Sequence, residues 1–480
     1  MSLSDLNKKY LLVPKLLFFF ITLHYYTLHT FRSVFAKDKF GIDNKALGFG
    51  MGILSCSTFF TNIYLGSLND KWGASKWFII GAMTLSSFFF QLFYFPVYAE
   101  SFPLAFWFNM FLYLASNLVI PPLLDKTILE YLSKMPNIGA KTYGRQRLWG
   151  TIGYAISNYL VEYSIKGKSK TDPDDFDGLR MYNLLAAGVG IFLCYTLINW
   201  STSRRAHARS DIWTSFKELL GNWDYMFFLF IILLNGLTRA SMTIFLTVYW
   251  KEVLDIQPYE MPTWMPSFLS APLDFANSNV IATANMFGIF LEVLIFFTSS
   301  FIINKFGYFW PLFFAQVAQL TRFAAYWLLQ YDSSNAYFFV CSFELLKGLN
   351  FGLTHCSAVQ LATRLCPPHL KATSQMLYQG TFTALGSVLA GLMVRPIFKE
   401  SSMKGKDIPI DIKAGSFKLF FFVNMAFTGL TLILFFYMYG IVENVLFDQA
   451  NAQKKLDMYV EREKDDESIK KMIKEKTVTN

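Results

Sequence analysis

Predominantly apolar runs close to the length of a membrane-crossing helix, about 20 residues, recur along this chain, and no soluble fold can bury so many of them. They fall at about 11–35, 45–68, 76–98, 104–128, 148–165 and 181–200. After a polar break they resume at about 223–250, 279–303, 308–330, 335–363, 373–397 and 416–440. Open strands would leave unpaired backbone groups facing lipid. The runs are also too long and too uniformly apolar to be the alternating strands of a barrel. The expected fold is therefore an all-α polytopic membrane protein with twelve transmembrane helices.

Composition supports a lipid solvent. Apolar residues make up 54% of the 480 and charged residues only 16%, with 52 phenylalanines. A soluble domain needs roughly 25% charge to wet its exterior. The net charge of +9 is not gathered into a basic face interleaved with aromatics, which argues against nucleic acid as a partner. The cations lie between apolar runs and in the last stretch of chain, where they would meet anionic headgroups of the bilayer. Cys56, Cys194, Cys341, Cys356 and Cys366 are scattered, without a CxxC pair or metal-ligand spacing, and read as packing residues. No metal and no cofactor is expected. Leu11 to Phe35 is too long for a signal-peptide core and lacks a small-residue cleavage site, so it reads as the first span. HExxH, GxSxG and Walker-type loops are missing from the sequence, which argues against an enzyme or an ATP-driven pump.

The charged stretch 201–222, with Arg204, Arg205, Arg209 and Lys217, divides the spans six and six. The expected organisation is an N-terminal six-helix bundle (1–200), a cytoplasmic linker (201–222), a C-terminal six-helix bundle (223–440) and a charged cytoplasmic tail (441–480), partly helical or disordered. Two related bundles with a site between them are a transporter arrangement. The remaining long loops are 166–180, 251–278 and 398–415. A slight excess of Lys and Arg on the loops of the terminus side, together with the even span count, places both termini in the cytoplasm.

After the second run stands Gly66-Ser67-Leu68-Asn69-Asp70-Lys71-Trp72-Gly73-Ala74-Ser75-Lys76. It resembles the G-x-x-x-D-[RK]-x-G-x-x-[RK] loop signature of the major facilitator superfamily, with a weaker echo at Ile303-Asn304-Lys305-Phe306-Gly307 in the second half. The glycines suit a tight turn, and Asp70 can pair with a cation or a helix N-terminus. Gly66, Asp70, Lys71 and Gly73 are thus candidates for a conformational latch, although any short charged turn between spans has a similar look. More specific is Tyr143-Gly144-Arg145-Gln146-Arg147-Leu148-Trp149-Gly150-Thr151-Ile152-Gly153-Tyr154. It resembles the Y-G-x-x-R-x-W-G-x-x-G segment of the branch holding lactose permease-like proton symporters and MFSD six-like facilitators. That resemblance implies substrate binding by Arg147 with Asp125, in Pro122-Leu123-Leu124-Asp125, as its acidic partner; Tyr154 and Glu292 complete the expected substrate site. It further implies that Arg322 and Glu344 handle a coupled proton. The glycine-punctuated stretch Gln375 to Gly391 resembles the eleventh span of that branch. Two positions depart from it: Cys341 stands where the permease has a histidine, and Lys347 follows Glu344 by three residues.

Each assignment has a plainer counterpart. An ionisable residue at mid-membrane costs roughly 2.5–3.5 kcal/mol on insertion scales, so Glu292, Arg322 and Glu344 must be paired or face water; structural ion pairs would satisfy that as well as a solute site. Arg145 and Arg147 are about 200° apart around a helix and cannot both face one cavity. Cations at the start of an apolar run can also simply snorkel to the interface. Lys347 at i+3 could hold Glu344 ionised throughout. Arg32, Arg239 and Arg395 are weaker candidates, and His24, His29 and His355 read as hydrogen-bonded packing. The functional expectation is a secondary active transporter acting as a monomer, its partners being a small polar solute (sugar, nucleoside or similar metabolite), a proton and the bilayer. The alternatives are a lipid-acting membrane enzyme, for which His24 or His355 would be indispensable, and a non-transporting receptor or scaffold.

Overall fold

The computed structural model describes residues 10–72, 74–95, 103–133, 143–165, 175–200, 217, 219–259, 265–333, 335–366, 371–398 and 408–456. Twelve spans run through them, and among the described residues there is no strand. The first span is broken: Leu12–Tyr25 ends in a turn and the chain resumes as Arg32–Phe40. Within the break Thr27 Oγ1 donates to the His24 carbonyl at 2.7 Å, satisfying a group the interrupted helix leaves open. Spans two and three are Asn44–Trp72 and Ser75–Leu92; span four is Pro103–Asn117 continued by Ile120–Ser133; spans five and six are Tyr143–Ile165 and Gly178–Leu197. Span seven, Trp223–Glu252, starts at Asn222, whose side chain accepts from the Tyr225 N–H at 3.3 Å as an N-cap. Spans eight, nine and ten are Val280–Phe306, Phe309–Leu328 and Ala336–Arg364. Span eleven passes from Lys371–Gly380 through a π-turn, Thr381–Leu385, into Gly386–Ile397, and span twelve is Ile410–Phe435 with a final π-turn at Phe436–Val442.

By length and composition alone, six stretches of the described chain could cross a membrane, Trp223–Glu252 and Ile410–Val442 among them. Several other spans are broken or carry the ionisable residues that form the site described below. Three local features differ from the sequence expectation. The stretch 251–278, read as a plain loop, contains the helix Ser267–Ser278, with Leu273 and Phe275 exposed in the manner of an interfacial helix. The second span stays helical through Trp72, so Gly66 lies within a helix and not in a turn. The side chains of Asp70 and Lys71, and all of Gly73, lie outside the described residues, as do 201–216 of the linker and 457–480 of the tail. The described start of the tail is docked: Lys455 Nζ reaches Asp224 at 2.9 Å and Glu443 at 2.5 Å, and Leu456 is buried.

The apolar packing is asymmetric across the membrane. On the face away from the termini one continuous cluster joins both halves, from Phe31, Phe35 and Val161 to Phe245, Trp250, Ile281 and Phe417. On the terminus face there are two separate clusters. One, around Leu17, Met83 and Ile128, belongs to the first half; the other, around Ile232, Leu361 and Tyr378, belongs to the second. Close approach on the joined face depends on small residues. A Cβ at Gly391 of span eleven would strike the Gly48 carbonyl of span two.

Polar groups reinforce the same seam. The Glu162 carboxylate of span five, 4% exposed, accepts from the Ile281 and Ala282 N–H groups at 3.3 and 2.5 Å, capping the start of span eight across the interface. Tyr159 Oη and Thr283 Oγ1 lie 3.2 Å apart beside it. Lys37 pairs with Glu252, and Lys251 lies 3.7 Å from Asp38. The halves are thus sealed together on one face of the bilayer and separately packed on the other.

Candidate functional site: a charged aromatic chamber between the halves

Span nine brings Arg322 and Tyr326, one helical turn apart, onto the side of Glu344 in span ten. Arg322 donates to Glu344 Oε1 at 2.5 Å and Tyr326 Oη donates to the same oxygen at 3.0 Å. Trp250 Nε1 in turn donates to Tyr326 Oη at 3.3 Å. Glu344 is fully buried and Arg322 is 4% exposed, so the pair is dry and its geometry matters. Lys347, on the same helical face as Glu344, places Nζ 3.5 Å from Oε2 and donates to Asn285 Oδ1 at 2.7 Å. Lys347 and Arg147 are also the cations that act on Glu292, the half-buried acid of span eight. Lys347 therefore lies between two carboxylates.

Arg147 links the halves electrostatically. It acts on Tyr26 of the first span, Glu292, His355 of the tenth and Tyr378 of the eleventh. Arg239, midway along span seven, has its guanidinium 4.6 Å from the Phe382 ring, which stands on the π-turn of span eleven. Its other charged-state neighbours are the phenols of Tyr378, Tyr26, Tyr25 and Tyr154. Arg32 has Tyr113 and Tyr25 beside it. Tyr26 and Tyr154 approach to 4.2 Å between centroids, with His29 edge-on at 4.9 Å from Tyr26. His355 stacks on Phe351 at 4.0 Å. The break in the first span is what turns Tyr25, Tyr26, His29 and Arg32 toward one region. Discontinuous spans placed near the bilayer midplane are where such folds build binding sites.

The chamber thus gathers Arg147, Tyr154, Glu292, Arg322 and Glu344 from the sequence-derived candidates. Asp125 is half-buried on span four, and Glu292 of span eight lies within electrostatic reach of Arg147. The Arg145 side chain and the latch residues Gly66, Asp70, Lys71 and Gly73 have no described side-chain surroundings. His24 is packing, as expected, with Nε2 2.8 Å from Ser86 Oγ. His29 and His355 pack on neighbouring rings, His355 with Nδ1 3.2 Å from the Phe351 carbonyl, and both also stand near the chamber's cations. Arg395 lies over Phe49 at 5.2 Å, in the seam between spans two and eleven. Sequence reasoning missed Tyr25, Tyr26, Asn285 and Tyr378. The adjacent tyrosines before a helix break were the available signal. All five cysteines are free, and among the described residues no His/Cys/Asp/Glu group could hold a metal.

The profile described as the MFS_1 like family matches residues 12–404. No curated protein matches the sequence. Among solved structures, that of the nucleoside transporter NupG is similar, with a TM-score of 0.67 and 16% identity over 89% of this chain and 98% of NupG. A point mutant of NupG gives a TM-score of 0.69 at 16% identity, covering 89% of this chain and 99% of that one. A bacterial homologue of the human lysosomal transporter Spinster, inward-facing and unoccupied, gives 0.59 at 12% identity, over 89% and 96% of the two chains. At such identities the likeness is one of fold.

Proposed function

The chain belongs to the MFS_1 like family and is an integral multi-pass membrane protein, and on that premise we propose that it is a secondary active transporter working by alternating access. The observation that carries this reading is the chamber itself: ionisable and aromatic residues from both halves meet at mid-membrane, while the seam is closed on one face only. Charges placed there are costly unless they are paired or face water, and a hydrated cargo path supplies that water. Rocking of one half against the other about such a site exposes it to each side in turn. With the termini in the cytoplasm, the state described here is the inward-facing one.

The cargo on this reading is a small polar solute of the sugar, nucleoside or related metabolite classes, bound by Arg147, Tyr154 and Glu292. NupG, a nucleoside transporter of similar fold, supports that size class. The proton is carried by Glu344. In the present state Arg322 and Lys347 contact its carboxylate; the proton is picked up in the state in which Arg322 withdraws. The test is counterflow and pH-driven uptake in proteoliposomes, using a panel of radiolabelled nucleosides, sugars and sugar acids. Accumulation that collapses with a protonophore, with counterflow persisting, is expected. Accumulation indifferent to the proton gradient would overturn the coupling, and no counterflow by any panel member would overturn transport of these classes.

A further inference from the structure

We infer that the solute is a small organic anion, whose oxyanion lies between Arg32 and Arg239 and whose flat portion lies against the chamber tyrosines. The inference deepens the transport reading by naming its substrate class, and rests on that reading only for what happens after binding.

The charges of the chamber do not balance. Arg147, Lys347 and Arg322 have Glu292 and Glu344 to answer them. Arg32 and Arg239 have no carboxylate: among the described residues neither makes an ion pair, and the groups that act on them are phenols. The Nε atoms of both are buried without a hydrogen-bond partner. Arg32 stands on span one and Arg239 on span seven, and the two spans touch where Thr247 Oγ1 donates to the Thr30 carbonyl at 3.3 Å; Tyr25 and His29 lie within electrostatic reach of both guanidiniums. An arginine deep in a membrane protein persists when it is paired or solvated. A guanidinium fork matches the geometry of carboxylate and phosphate oxygens, and does so with particular strength in a dry site.

A second observation concerns the space beside Arg32. A water-sized recess is lined by Tyr25, Leu28, His29, Arg32, Tyr113 and Asn117. Its walls are rings and leucines, with the cation and one amide as the polar handles. An acidic group on a ring answers the guanidiniums; a neutral sugar leaves them unanswered.

The experiment compares matched pairs on the full chain in nanodiscs: uridine with uridine monophosphate, glucose with glucuronate, and benzamide with benzoate. Binding is read by calorimetry and by the shift in melting temperature. In at least one pair the anion is expected to bind ten-fold or more tightly than its neutral twin. Arg32→Gln and Arg239→Gln should each remove most of that advantage, and Arg395→Gln, at the seam, should keep it. Should a glutamine variant fold poorly, Arg32→Lys and Arg239→Lys supply a second reading, since a point charge lacks the planar fork and should bind the anion more weakly than the wild type. Neutral twins binding as well as the anions, a preference that survives both glutamine substitutions, or binding by no anion of the panel would each overturn the inference. Counterflow separates it from the transport reading. An anion that binds through the two arginines but never exchanges across the membrane sinks transport alone, whereas exchange of neutral solutes without anion preference sinks this inference alone.

Discussion

Glu344 is held by two cations of different character, and substitutions separate their roles. Arg322 is as buried as the acid it contacts, whereas Lys347 is shared with Asn285 and Glu292. If Glu344 carries the proton, the cycle includes a state in which it is neutral, so Glu344→Gln is expected to keep counterflow and to lose gradient-driven accumulation. A purely structural counter-ion would behave differently. Its neutralisation would leave a buried cation unanswered, at a cost of about 3–5 kcal/mol, and the protein level would fall. Recovery of both level and accumulation in Glu344→Gln with Lys347→Leu would exclude Glu344 as the carrier. Arg147 invites a second substitution. Its charge reaches Glu292 and three aromatic residues from two helical bundles, a task for a planar fork and not for a point charge. Arg147→Lys should therefore reduce uptake at least ten-fold, and normal uptake by that variant would mean the head group only snorkels to the interface. At this scale the sequence disclosed which residues were chemically expensive, since an acid or arginine inside an apolar run is visible without a structure. It did not disclose who meets whom. The resemblance paired Arg147 with Asp125, and only the relative placement of spans five and eight brings Glu292 into its reach as well.

The elements divide in the same manner between what periodicity reveals and what it hides. The twelve spans were legible because a long apolar run admits few other states in lipid. The break after Tyr25 was not, for no proline or glycine marks it; the chain leaves the helix where polar and aromatic side chains can satisfy the freed backbone. The π-turn at Thr381–Leu385 was hidden too, between flanking glycines that carried only the resemblance to an eleventh span. It sets Phe382 beneath Arg239, and π-turns of this kind are frequent at functional sites. Gly391 has a packing duty. Its missing Cβ lets span eleven meet the Gly48 carbonyl of span two, so Gly391→Leu should hold the seam apart. A cysteine placed at Val34, which is 3% exposed in the joined cluster, reports on this. Its reaction with a membrane-impermeant maleimide should accelerate several-fold in the leucine variant, and unchanged reactivity would show that the crossing does not hold the seam.

At the scale of the whole molecule, the closed seam is the barrier that any alternating-access cycle must open, and two kinds of polar contact compete for credit in holding it. The ion pairs Lys37–Glu252 and Lys251–Asp38 lie at its rim, with side chains 15–43% exposed. Pairs in such settings contribute about 0–1 kcal/mol and weaken further in salt. Glu162 lies deeper and accepts from two backbone N–H groups at the start of span eight. Hydrogen bonds to a charged group are worth about 1.5–3 kcal/mol each, and here the helix dipole adds to them. Span eight also carries Glu292, so release of its N-terminus and exposure of the chamber acid are movements of a single rigid element. Glu162→Gln should therefore shift the balance toward the seam-open state by about ten-fold or more, at about 1.4 kcal/mol per factor of ten. Glu252→Gln should shift it by less than about five-fold, as expected of an exposed pair. Maleimide reactivity of the Val34→Cys reporter ranks the two, and repeating the measurement in high salt should abolish the Glu252 effect while sparing that of Glu162. The opposite ranking would place the lock at the rim. Span eight would then be a passive wall of the chamber, and opening of the seam would be governed by the ionic strength of the compartment it faces.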